Sequence, residues 1–146
     1  MKRKYIFLIA SVLLVCTSII ALWNNREQPL CSVLPDDDMR LCVSNGYYDG
    51  MESVVVGTIP RENIAELFDL STVKKGIPNT SLPSPCFEIR AVYDHETYVI
   101  VVGADKSVSV ASTDKLDSRT FWVDTTGKLF ESLYNLHLEN GGAEFP

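Results

Sequence analysis

Two stretches of this 146-residue chain, Ser71-Thr72-Val73-Lys74 and Ser112-Thr113-Asp114-Lys115, place a lysine three residues after a serine. On one helical turn that spacing brings an amine to a hydroxyl, and a deprotonated amine could activate the serine as a nucleophile. Neither stretch begins a buried helix pattern, and the partner motifs of penicillin-interacting enzymes are missing. A pattern with two fixed positions also recurs by chance. The two histidines, His95 and His137, stand in no ligand spacing with each other or with a carboxylate. His95 lies between Asp94 and Glu96 at a hairpin tip, where the carboxylates favour the imidazolium, and a solvated turn residue is expected. His137 falls near a helix C-terminus, suited to a charge that complements the dipole or to a boundary residue. Asp36-Asp37-Asp38 would attract a cation but lacks the alternating ligands, glycine and terminal glutamate of a calcium loop. Cys-x-x-Cys, His-Glu-x-x-His, Gly-x-Ser-x-Gly and phosphate-binding glycine loops are absent. No catalytic residue, metal or cofactor is expected, and His95, Ser112 and Lys115 are expected to be ordinary surface positions.

Contact and redox chemistry offer more. Tyr47 and Tyr48 stand between Asn45-Gly46 and Asp49-Gly50, and two adjacent rings in an extended segment do not both turn inward easily, so one is a candidate binding anchor on a turn-rich loop. Cys31 and Cys42 flank a hairpin expected to turn at Pro35-Asp36-Asp37-Asp38. With Leu34 opposite Met39, Cys31 faces Cys42 at bridging distance, and a disulfide there is expected, with pairings to Cys86 as the alternatives. An unpaired Cys86 would be a buried small hydrophobe. Asn79-Thr80-Ser81 is a formal glycosylation sequon.

The elements that must position these residues follow from periodicity. Ser53 to Ile59 is rich in β-branched residues and reads as a strand stopped by Pro60. Ile64, Leu67 and Phe68 recur at helical spacing from Arg61 to Leu70, with Pro60 at the entry and Glu62 in the first turn. Lys75 to Pro85 carries Gly76, Pro78, Pro83 and Pro85 and is a loop returning to the sheet. Phe87 to Tyr93, Tyr98 to Val102 and Val108 to Val110 form a three-strand antiparallel meander, Thr120 to Val123 a fourth strand candidate. Leu129, Phe130, Leu133, Tyr134 and Leu136 mark a helix ending before Gly141-Gly142. The expected core is Val54, Val56, Leu67, Phe68, Ile89, Ala91, Val99, Val101, Val108, Val110, Leu129 and Leu133.

Upstream of all this, Lys2, Arg3 and Lys4 precede an uncharged apolar run from Tyr5 to Trp23. Nineteen residues at about 1.5 Å each span roughly 28 Å, close to a hydrocarbon core of about 30 Å. The aromatic ends suit the two interfaces, and the basic triplet predicts a cytoplasmic N-terminus with the rest exported. A retained signal-anchor is expected; cleavage after Ser18 or Ala21 would secrete the domain, and the lipobox-like Leu13-Leu14-Val15-Cys16 lacks the usual small residue before its cysteine. Of 13 basic residues three precede the run, so the exported part carries 10 against 19 acidic ones, a net charge of −9. That excludes nucleic acid as a natural partner, disfavours close docking on anionic lipid, and suits a basic partner or a cation.

These features define an α+β chain: a transmembrane helix in residues 1–23, a spacer in 24–29, and in 30–146 a small extracytoplasmic domain with an antiparallel meander and two helices. The function they suggest is that of an accessory or protein-binding domain without catalysis, tethered to the cell membrane through residues 5–23 and working on an envelope protein partner. A small hydrolase with an unrecognised site, and an inhibitor or immunity-type protein acting through the acidic loop Pro35 to Asp38, are the alternatives.

Overall fold

The computed structural model describes residues 2–34, 40–49, 52–56, 59–79, 81, 83, 85–93, 95–115 and 119–142; for 2–4, 24, 40–49, 52–56, 61 and 93 it describes the backbone alone. An apolar helix, α1 (Lys2–Asn24), stands clear of the domain, and its segment Tyr5–Trp23 is long and apolar enough to cross a membrane. Three residues later the chain enters a sheet built from β1 (Gln28–Pro29), β2 (Arg40–Asp49), β3 (Glu52–Val56), β4 (Thr72–Lys75), β5 (Cys86–Tyr93), β6 (Glu96–Gly103), β7 (Ser107–Ser112) and β8 (Thr120–Asp124). Two more helices, α2 (Arg61–Leu70) and α3 (Leu129–Glu139), complete the α+β fold.

The eight strands lie in the order β1-β4-β8-β7-β6-β5-β2-β3, every pairing antiparallel. The meander is present and extends to four strands, β5 to β8. The hairpin β2–β3 lies beyond β5 and the short strands β4 and β1 beyond β8. To travel from β3 at one end of the sheet to β4 near the other, the chain crosses one face as α2. On its return to β5, through the proline-rich stretch 76–85, Asn79, Ser81 and Pro83 lie over the opposite face, beside Ser107, Ser109 and Phe121. The turns that flank this segment fix its course: Gly76 N donates to Phe121 O at 2.8 Å, and Ala104 N donates to Pro85 O at 3.0 Å. Gly103 is needed at the close approach, because a Cβ there would sit 2.4 Å from Pro83 Cβ.

The core lies between the sheet and the two helices. Ile64 and Phe68 of α2 and Leu129 and Leu133 of α3, each pair four residues apart, close over Val73, Phe87, Ile89, Ala91, Ile100, Val102, Val108 and Val110. The α3 terminus is a Schellman turn: Gly141 has φ +82°, Gly142 N donates to His137 O at 2.8 Å and Gly141 N to Leu138 O at 3.0 Å, which uses the glycine pair that the pattern places there.

Four expectations change. Asn45-Gly46 is no turn but lies within β2, where Gly46 is flanked by Val56 on β3 and Glu88 on β5; pairing on both sides overrides the local turn preference. Tyr47 and Tyr48 are therefore strand residues, opposite Phe87 and Cys86 on β5, with a register shift between them on the β3 side. The hairpin that was to face Cys31 with Cys42 is replaced by a 3-10 turn at Leu30–Val33, since Leu30 is drawn fully into the core and β2 finds its partners in β3 and β5. In β6, Ile100 and Val102 face the helices, whereas Val99 lies on the other face half-buried and Val101 is buried there, on the face that segment 76–85 crosses. The side chains of Val54 and Val56 and the Pro35 to Asp38 turn lie outside the described residues.

Candidate functional site

The face away from the helices carries a groove. Segment 76–85 crosses only part of it, and beyond that cover Val99 on β6 sits directly opposite Ala111 on β7, with Phe121 on β8 one diagonal step away. Together they floor a 530 Å³ depression whose rim is polar: Asn79 from the crossing segment, Ser112 and Thr113 at the end of β7, and Arg119 at the entry of β8. Arg119 is exposed and makes no ion pair among the described residues. At the far side Arg90 of β5 stands opposite Val99 and holds Glu88 Oε1 through its Nε at 2.7 Å. The two guanidinium-bearing strands are three strand intervals apart, roughly 14 Å. An acidic chain thus presents a local apolar strip between two arginines, so the net charge of −6 does not describe this surface.

A second polar cluster sits on the helix-side face at the end of the sheet. Lys115 Nζ donates to Glu96 Oε1 at 2.8 Å and the Tyr98 hydroxyl donates to Glu96 Oε2 at 2.7 Å. Ser112 lies beside them, its hydroxyl accepting from Asp114 N at 3.2 Å. These groups line a 220 Å³ recess with Val33, Val110 and Thr120. Ser112 and Lys115, paired by sequence spacing, are therefore brought together, but around a carboxylate. Hydrogen bonds from Lys115 and then Tyr98 hold the Glu96 carboxyl below its ordinary range, and the same contact with Glu96 raises Lys115. A lysine that activates a serine needs the opposite shift, toward the free amine. Ser112 is buried, at 5% exposure, which corrects its expected place among surface residues; Lys115 is exposed as expected.

The remaining candidates are scattered. Ser71 is buried and donates to Leu67 O at 2.7 Å at the end of α2, while Lys74 follows on β4, so that pair shares no helical turn. His95 is exposed in the β5–β6 turn with φ +68°. His137 is buried, stacked 6.5 Å from Tyr134 and edge-on to Phe87 at 6.3 Å, so it belongs to the packing of α3 on the start of β5. The two histidines lie at opposite ends of β5. Among the described residues no three His, Cys, Asp or Glu side chains group to hold a metal ion.

Cys86 is a buried free thiol, pushed up to about 11 by burial and then by the charges of Glu88 and Asp105. No disulfide is seen among the described residues, and the side chain of Cys42 lies outside them. Sequence reasoning missed one residue of structural weight. Asp124 is buried and accepts from Thr126 N at 2.9 Å through Oδ1 and from Leu129 N at 2.9 Å through Oδ2, which closes the first turn of α3. The signal was present in Asp124-Thr125-Thr126-Gly127, a carboxylate and hydroxyls ahead of an apolar helix pattern. The groove itself was not foreseeable, because it depends on which face the segment 76–85 crosses. The chain matches no family model, no curated protein and no solved structure.

Proposed function

We propose that this chain is a single-pass membrane protein with a cytoplasmic N-terminus and an extracytoplasmic domain that binds an envelope protein without catalysing a reaction on it. The observation that carries this is the groove over Val99, Ala111 and Phe121, an apolar floor between Arg119 and Arg90 in which no nucleophile and base are brought together among the described residues. Such a strip suits an extended segment that offers an apolar side chain flanked by carboxylates: the apolar contact supplies burial and the guanidinium groups set position. The basic triplet in the first turn of α1, ahead of its apolar span, supports the orientation, and the 19-residue span, longer than a secretory signal core of about 7 to 15 residues, supports retention of the anchor. The protonated Lys115 beside Glu96 speaks against the hydrolase alternative.

The test is capture from detergent-solubilised envelopes with the tagged full-length chain. Ala111→Arg, which fills the groove, and Arg119→Glu, which reverses its rim charge, should each lose a partner that wild type retains, while the intact mass of the purified protein still includes residues 1–23. Equal capture by both variants would sink the groove as the binding site. A mature N-terminus at Ile19 or Leu22 would remove the anchor.

A further inference from the structure

We propose that the junction between α1 and the sheet is a binding site for the phosphodiester head group of a phospholipid in the chain's own membrane. The inference rests on α1 being a retained anchor. Asn25, Arg26 and Glu27 alone separate the end of α1 from β1, and at most about 3.5 Å per residue they allow roughly 10 Å between the bilayer surface and the sheet. The β1-β4-β8 end of the domain is therefore held in the head-group layer. There a cleft of 180 Å³ opens between the last turn of α1 and the sheet, lined by Trp23, Arg26, Gln28, Lys75 and Trp122. Its composition differs from that of the rest of the acidic domain. Two cations share its lining with two tryptophans, the ring type that prefers the membrane interface, and Gln28 adds an amide donor.

The surroundings agree with this placement. Ile77, two residues past Lys75, is 88% exposed, and it leaves β4 at the same end, where Gly76 is hydrogen-bonded beside Trp122. An exposed isoleucine at this end is compatible with a bilayer surface. Trp122 Nε1 donates to Thr120 Oγ1 at 3.0 Å, which fixes its ring at the mouth of the cleft. Glu27 is the one acidic side chain in the connecting residues 25–27, and it sits outside the cleft lining. The long-range repulsion between a domain of net −9 and anionic lipid is thus met at the junction by a local pair of cations, which favours a phosphate held at short range over docking of the whole domain surface.

The two tryptophans of the chain, one on each side of the cleft, make the test direct. Trp23→Phe leaves Trp122 as the sole indole and Trp122→Phe leaves Trp23. Each protein is reconstituted in phosphatidylcholine–phosphatidylglycerol vesicles, with a nitroxide either on the head group or at the end of the acyl chain. Trp122 should be quenched by the head-group label at least about twofold more than by the chain-end label. Adding Arg26→Glu and Lys75→Glu should abolish that preference, while Arg26→Lys and Lys75→Arg should keep it. If Trp23 is quenched and Trp122 is not, the head-group site is wrong and the anchor stands. If neither is quenched, the anchor and the site fail together. A change in Trp122 emission produced by inorganic phosphate in detergent, equal to that produced by lipid, would assign the cleft to a free anion and overturn the proposal.

Discussion

Lys115 Nζ donates to Glu96 Oε1 at 2.8 Å, so the lysine of the Ser112-x-x-Lys115 spacing serves as the counter-ion of a carboxylate, and the buried Ser112 lines the same recess. The spacing that suggested nucleophilic chemistry instead ties the end of β7 to the start of β6.

Stability should follow the ionisation of this cluster. Glu96 is lowered from 4.5, so its contribution is complete above the unfolded value and is lost as pH falls through the folded one. Lys115 is raised from 10.5, so its contribution is complete below that value and is lost as pH rises through the folded one. Melting curves of wild type and Glu96→Gln should therefore differ by a constant amount between about pH 5 and pH 10 and converge at lower pH. The difference is expected to be small, because both groups meet solvent. Ser112→Ala should cost about 1 kcal/mol. A hydrolytic activity of the pure protein that disappears in Ser112→Ala with an unchanged melting curve would restore the enzyme alternative.

The two faces of β6 should respond differently to truncation. Ile100 is fully buried against the helices, and Ile100→Ala should cost about 2–5 kcal/mol in a urea titration through the cavity it leaves. Val99 lies half-buried on the groove floor, and Val99→Ala should cost less than about 1 kcal/mol while weakening partner capture. Reversed costs would place the core on the wrong face.

Thiol reactivity separates the three cysteines that follow α1. With its thiol raised to about 11 and buried, Cys86 should resist maleimide in the folded protein and react once it is denatured. The Cys31–Cys42 pairing expected from the sequence predicts that non-reducing peptide mapping recovers the two cysteines linked, a bridge that would contribute about 3 kcal/mol by chain entropy. A peptide containing Cys86 bonded to either one would refute both statements.

Much of the fold was legible because its signals are local. The alternation in Phe87 to Tyr93, the Ile64 and Phe68 stripe and the Gly141-Gly142 stop each depend on a few neighbouring residues, and each maps onto β5, α2 and the end of α3. What was not legible depends on pairing at a distance. Thr72–Lys75, with two lysines, became β4 only because β8 and β1 flank it, and Asn45-Gly46 stayed extended only because β3 and β5 hold it on both sides. The continuous apolar run Tyr98 to Val102 carries no period that tells inside from outside, so the sequence alone does not separate the outward Val99 from the inward Ile100. The groove belongs to the same class, since Asn79, Ala111 and Arg119 meet only after the chain has wrapped both faces of the sheet.

The most direct measurement is photo-crosslinking in intact cells, with a photoreactive phenylalanine derivative placed at Ala111 or Phe121 on the groove floor, and at the exposed Asn135 of α3 as control. Binding through the groove predicts one discrete cross-linked envelope protein from positions 111 and 121 and none from 135. No adduct at the groove positions, or the same adduct from Asn135, would contradict it.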